Sequence, residues 1–196
     1  LVNNRDYSTA WRLQYLTDLA VLPDFEEGYW YGYNGTTGAP VDEKGDPVLH
    51  KIPAGWAEAQ TDGERWRWAL LQTIELEPGL EAMARHMFAD FLMNQFDVQT
   101  MAAYGWFFGR GSEADEEKKD ESGIYAVHTL GEDETIAKLA SGIKRFKLPV
   151  EFNFIRIYRD LRDYDQLAQI FENRRQYDKA AECWVSALGA AWKTFK

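Results

Sequence analysis

Apolar residues recur at three- and four-residue intervals along most of this chain, a period that predicts helices rather than strands. The clearest case runs from Leu161 to about Thr194. Tyr164, Leu167, Ala168 and Phe171 fall on one face of a first helix. Tyr177, Ala180, Ala181, Trp184, Ala187 and Leu188 do so in a second. The hydrophilic join Asn173-Arg174-Arg175-Gln176 leaves room only for a tight turn, so the two helices lie antiparallel. Ala168, Ala180 and Ala187 let the backbones approach, and Phe171, Tyr177 and Trp184 fill the space beside them.

Upstream, Tyr7, Trp11, Tyr15, Leu16 and Leu19 predict a helix from Asp6 to about Ala20, ended by Pro23. The stretch Glu26–Pro53 is rich in Gly and Pro and reads as an irregular excursion within 24–60, with a small β-hairpin over Val41–Val48. Thr61 with Glu64 forms a capping-box pattern that opens a helix carrying Trp66, Trp68, Leu70 and Ile74, and Pro78-Gly79 breaks it. Leu80–Asn94 and about Val98–Phe108 continue the helical period. Residues 109–123 (GRGSEADEEKKDESG) have nothing to bury and predict an acidic surface loop. Thr129 with Glu132 repeats the capping pattern, and Ile136, Leu139, Ala140 and Ile143 then predict a helix to about Phe146. After Pro149, Phe152, Ile155 and Tyr158 suit a helix, although Phe152, Phe154 and Arg156 also alternate; helical flanks favour the helix. Gln95-Phe96-Asp97 and Gln176-Tyr177-Asp178 precede similar helices, a faint internal echo.

The hairpin at 161–194 resembles a tetratricopeptide unit, a helix–turn–helix of roughly 34 residues with an aromatic/Leu/small/aromatic first helix. Tyr164, Leu167, Ala168 and Phe171, then Ala180, Trp184 and Ala187, carry the likeness; Ala168 stands where Gly is commoner, and Trp192 near the usual closing Pro. The expected fold is a single mainly α domain of roughly seven helices, stacked as antiparallel hairpins in an α-α superhelix with one β-hairpin excursion and an acidic loop. Stacking is required because one helix pair cannot bury its apolar face alone.

A second likeness covers most of the chain. The stretches 5–32 (RDYSTAWRLQYLTDLAVLPDFEEGYWYG), 45–53 (GDPVLHKIP), 62–70 (DGERWRWAL) and 133–158 (DETIAKLASGIKRFKLPVEFNFIRIY) resemble the N-terminal helical segment of large bacterial alpha-2-macroglobulin-like proteins. That resemblance implies an auxiliary module of a periplasmic or extracellular protein, engaging its own polypeptide or another protein. It does not bring protease trapping with it: the family's thioester pairs a Cys with a nearby Gln, and Cys183 lies in Ala-Glu-Cys-Trp.

Composition narrows the options. Of 196 residues, 45% are hydrophobic and 15% aromatic, enough to build a core and unlike a disordered chain. The net charge of −10 repels a phosphate backbone, and the basic run Lys144-Arg145-Phe146-Lys147 is too short to offset it, so nucleic acid is not an expected partner. No apolar run approaches the ~20 residues of a membrane span. One cysteine excludes an intrachain disulfide and a cysteine-cage zinc site, and Cys183 reads as a buried or half-buried structural thiol. The start at Leu1 rather than Met suggests a processed product or an excised domain.

Nothing in the sequence identifies a catalytic centre, and no cofactor or metal is expected. His86 and Asp90, four apart, read as a surface contact, because a metal needs further ligands. Acidic pairs such as Glu116-Glu117 and Asp133-Glu134 read as solvated faces. The expected function is therefore a non-catalytic protein-interaction or scaffolding module whose partner is a protein or peptide. Tyr29, Trp30, Tyr31 and Tyr33 suit two roles: covering the core beside Trp11, Trp66 and Trp68, or acting as the candidate partner contacts, because Tyr and Trp anchor interfaces. The alternative is a helical carbohydrate-binding or carbohydrate-processing protein that stacks sugars on the same aromatic run.

Overall fold

The computed structural model describes residue 39 and residues 41–98, 126–139 and 141–194. The chain divides into two compact units, Leu1–Phe96 with Lys138–Gly142 and Asp97–Ala137 with Ile143–Lys196. The predicted helices near residues 6–20 and 98–108 and the acidic loop lie outside the described residues.

In the first unit, α1 (Asp62–Leu76) and α2 (Glu81–Phe96) form a helical pair joined through a 3₁₀ turn, Pro78–Leu80. The predicted cap is present: Thr61 Oγ1 accepts the Glu64 amide at 3.2 Å, and Glu64 Oε2 reaches back to the Gln60 amide at 2.7 Å. Trp66 of α1 packs edge-on against Phe91 of α2, with ring centroids 4.9 Å apart, and tilts against Phe88 at 6.2 Å. Arg67 is buried between them, its guanidinium 4.6 Å from the Phe88 ring centre and donating to the His50 carbonyl. On α2, Ala84, Phe91, Leu92 and Phe96 are buried, whereas Met83, and Leu80 in the turn before it, stay exposed.

The predicted hairpin over Val41–Val48 is a single antiparallel bridge, Val41 to Pro47, around a turn. The Asp42 carboxylate holds that turn by accepting the Lys44 and Asp46 amides at 2.8 and 3.0 Å, and Gly45 supplies its positive φ of 78°.

The developed sheet lies elsewhere and corrects one expectation. The stretch predicted as a helix to Phe146 is a two-stranded antiparallel hairpin, β1 (Glu134–Leu139) and β2 (Gly142–Lys147). Its apolar residues satisfy a helical period, but Gly142 has φ +118°, which no helix uses, and β-branched Thr135, Ile136 and Ile143 favour strands. Thr129 caps nothing; its hydroxyl donates to the Ala126 carbonyl in a 3₁₀ turn. At the hairpin base the Leu148 amide donates to the Asp133 carbonyl at 2.7 Å.

The second unit continues with α3 (Phe154–Leu161), α4 (Tyr164–Asn173) and α5 (Tyr177–Thr194). The segment after Pro149 is helical as its flanks predict: Phe154, Ile155, Ile157 and Tyr158 are all buried on α3. Arg162, at φ 60°, ends α3, and the Asp163 carboxylate immediately caps α4 by accepting the Gln166 amide at 3.2 Å. Among the described helices, the α4–α5 pairing is the most extensive. Leu167, Ala168, Ile170 and Phe171 of α4 and Ala180 of α5 are buried, as close approach through alanines requires. A further apolar group, Val98, Val127, Leu130 and Ile136, completes the core of this unit.

Enlarging a small residue in this helix contact overpacks it. Ala168→Leu is expected to lower the unfolding free energy by about 1–3 kcal/mol. Ala181→Leu, on the exposed side of α5, changes it by less than about 0.5 kcal/mol. Urea denaturation of the two variants checks the contrast.

Candidate functional site

Two features of the second unit bear on function: a polar lock on one flank of α5 and an uncovered apolar stripe on the other.

The lock begins with a backbone problem. Residues 130–133 link the 3₁₀ turn Val127–Thr129 to β1. The carbonyls from His128 to Glu132 lie outside the sheet ladder, and among the described residues only that of Gly131 accepts a nearby backbone amide, from Glu134 at 3.1 Å. Side chains at helix ends supply the donors. Gln176 Nε2, just before α5, donates to the carbonyls of Leu130 at 2.7 Å and His128 at 3.1 Å. Arg174 Nη1, just after α4, donates to the Gly131 carbonyl at 3.2 Å. Asn153 caps α3 by accepting the Arg156 amide at 3.1 Å, while its Nδ2 donates to the Glu132 carbonyl at 3.0 Å.

Ion pairs reinforce the same loop. The Glu132 carboxylate bridges Arg159 of α3 and Lys179 of α5, the latter at 3.6 Å. Hydrogen bonding from Arg159 holds this carboxyl below the usual glutamate range. Next along the chain, Asp133 pairs with Lys147 at 2.9 Å and Glu134 with Arg145 at 2.7 Å. Glu134 also accepts the Gly131 amide at 2.9 Å, which together with Arg145 depresses its carboxyl. These acids are ion-paired and ionised at neutral pH, the opposite of what a proton donor in glycoside hydrolysis needs.

Arg174 is the largest fully buried side chain among the described residues. Its guanidinium lies 5.9 Å from the Phe154 ring centre, and its Nε and Nη2 have no hydrogen-bond partner among the described residues. Burial pulls its pKa down, yet a guanidinium starts so high that it stays charged. Burial raises the Asp97 carboxyl, opposed by its 2.7 Å hydrogen bond from the Val98 amide and by Arg174. It is the one described carboxyl that its surroundings push upward, and its charged neighbour is an arginine rather than a second acid.

The stripe lies on the other side of α5. At about 100° per residue, Tyr177, Ala181, Val185 and Leu188 fall in one narrow sector, with Trp184 at its edge. Tyr177 is 66% exposed, Val185 70% and Leu188 70%, while Ala180, on the sector facing α4, is 3% exposed. Trp184 Nε1 donates to Glu172 Oε1 of α4 at 2.7 Å, which fixes the indole at the boundary between covered and uncovered sectors. The sequence pattern places Tyr177 and Leu188 inside the helix pair, and the structure turns them out. The apolar arc of α5, from Cys183 round to Val185, is too wide for one neighbouring helix to cover. That width is readable in the sequence once Val185 is counted.

The candidate contacts Tyr29, Trp30, Tyr31 and Tyr33 lie outside the described residues. Cys183 is half-buried and burial raises its thiol, which fits a structural role. Glu81 and Arg85 form an i,i+4 ion pair at 3.8 Å on α2. Among the described residues no three His, Cys, Asp or Glu side chains group to hold a metal, and no helix is long and apolar enough to cross a membrane.

Glu132 has a folded-state pKa below its unfolded value, so its stabilisation is complete above the ordinary carboxylate range and lost as pH falls through the folded value. Glu132→Gln is therefore expected to cost about 1 kcal/mol at neutral pH, a charge-assisted pair discounted for partial exposure. The difference from wild type shrinks in acid, as urea titrations at several pH values will show. Arg174→Met removes the donor to the Gly131 carbonyl and is expected to cost about 1–3 kcal/mol, read from the shift in the urea midpoint.

Scans against protein-family models, curated proteins and solved structures each return no match to this chain.

Proposed function

We propose that this chain is a non-catalytic protein-interaction or scaffolding module that docks a partner on the outer face of α5. The observation that carries this reading is the exposure of Tyr177, Val185 and Leu188 in one sector of a helix whose opposite flank is held by Glu132 and Gln176. Isolated exposed apolar side chains are ordinary, but a contiguous helical stripe has the spacing with which helices recognise one another. The likeness to the N-terminal helical segment of alpha-2-macroglobulin-like proteins supports a role within a larger extracytoplasmic polypeptide, whose other domains are the natural partners. The depressed, ion-paired acids around Glu132 add weight to binding over hydrolysis.

Full coverage of a Val, Leu or aromatic side chain contributes about 1.5–3 kcal/mol, against an association cost of several kcal/mol, so a single short helix should bind with Kd on the order of 0.1 mM. The test is calorimetric titration with a synthetic amphipathic helix carrying Leu at i, i+3, i+4 and i+7 and neutral Gln and Ser elsewhere. Binding should weaken at least ~10-fold in the Val185→Asp, Leu188→Asp double variant, with unfolding free energy within about 0.5 kcal/mol of wild type. Absence of binding, or equal binding by the variant, contradicts the proposal.

A further inference from the structure

Resting on the docking reading above, we infer that the α5 face is matched to one class of occupant: an amphipathic α-helix whose apolar stripe is bordered by Lys or Arg. Three properties of the face lead there. Its length is the first. From Tyr177 to Leu188 the stripe spans about 17 Å at 1.5 Å per residue, three turns of a partner helix. Its periodicity is the second, because anchors at i, i+4, i+8 and i+11 present ridges that the side chains of another helix interdigitate.

Charge is the third and decides between occupants. One border of the stripe carries Asp178 and Glu182, both exposed and one helical turn apart. The other border carries Glu172 of α4, held by Trp184. Among the described residues, Lys179 and Arg175 do not offset these acids along the stripe. Lys179 is turned to the opposite flank, where it pairs with Glu132, and Arg175 sits in the α4–α5 turn beyond the end of the stripe. Asp178 also lies in the first turn of α5, where a negative charge is favourable for the helix itself. Glu182 lies beyond that turn and has no such reason to be acidic. A second copy of the chain would bring the same acidic borders against themselves, and like charges across an interface are unfavourable. A helix with Lys or Arg at i and i+4 on one flank places a cation opposite each of Asp178 and Glu182.

The experiment compares three helices with identical Leu stripes by calorimetry against the full chain: the neutral one above, one with Lys at both flanking positions, and one with Glu there. At low ionic strength the Lys-flanked helix should bind at least ~10-fold more tightly than the Glu-flanked one, and the gap should close in about 0.5 M salt. The chain carries a net charge of −10, so a diffuse attraction to Lys is a rival explanation. The Asp178→Asn, Glu182→Gln double variant separates the two. It should abolish the gap and leave the affinity for the neutral helix unchanged. A gap that survives in that variant, or equal affinities for Lys- and Glu-flanked helices in wild type, overturns the inference while the docking face stands. Failure of all three helices to bind overturns both. Concentration-dependent dimerisation in sedimentation, lost in the Val185→Asp, Leu188→Asp variant, assigns the face to a second copy and also overturns the inference.

Discussion

Four carbonyl groups in a short irregular segment set the terms for the second unit. Those of His128, Leu130, Gly131 and Glu132 each receive a side-chain donor from the end of a helix: Gln176 for two, Arg174 and Asn153 for one each. The bond to His128 is exposed and the other three are part-buried, and the Gly131 carbonyl also accepts the Glu134 amide at 3.1 Å, so each such bond contributes on the order of 1 kcal/mol. They fasten the loop before β1 to the start of α3 and to the α4–α5 turn together. Glu132 then adds charge to the same junction through Arg159 and Lys179. The helix ends are therefore cross-linked by polar contacts, and the α4–α5 hairpin gains rigidity from a segment that is not helical.

The lock also explains why α5 has one face to spare. Lys179 and Gln176 commit one flank of the helix to the loop, and Ala180 commits the adjacent sector to α4. Tyr177, Val185 and Leu188 belong to neither surface. A docking helix needs a firm platform, and a platform held from behind by several hydrogen bonds adds little ordering cost when a partner arrives. Stability and recognition thus draw on opposite sides of one 18-residue helix.

Much of the helical architecture was legible in the sequence. The Thr61–Glu64 cap, the period of α2, the turn at 173–176 and the alanines of the α4–α5 contact all express local rules, and each appears as those rules predict. The hairpin at 134–147 was not legible, because Ile136, Leu139 and Ile143 match a helical face as well as they match strands. Only the Gly142 backbone and the non-local pairing decide between them. The lock was hidden for a related reason. Arg174 and Gln176 look like solvated turn residues, and nothing local announces that a segment more than forty positions earlier will enclose them. The sequence pattern puts Tyr177, Ala180, Ala181, Trp184, Ala187 and Leu188 on one packed face, and the structure buries Ala180 but exposes Tyr177 and Leu188, because the covered side of α5 depends on those same distant contacts.

Native-state hydrogen exchange across the second unit measures whether the loop and the helices open as one. If the loop and the helices form one locked body, amides of Thr135–Ala137 in β1 and of Ile170 and Phe171 in α4 should open together, with the same free energy and the same denaturant dependence. Exchange of the β1 amides orders of magnitude faster than those of α4, with a separate denaturant dependence, would show that the loop merely rests on the helices and would contradict the account.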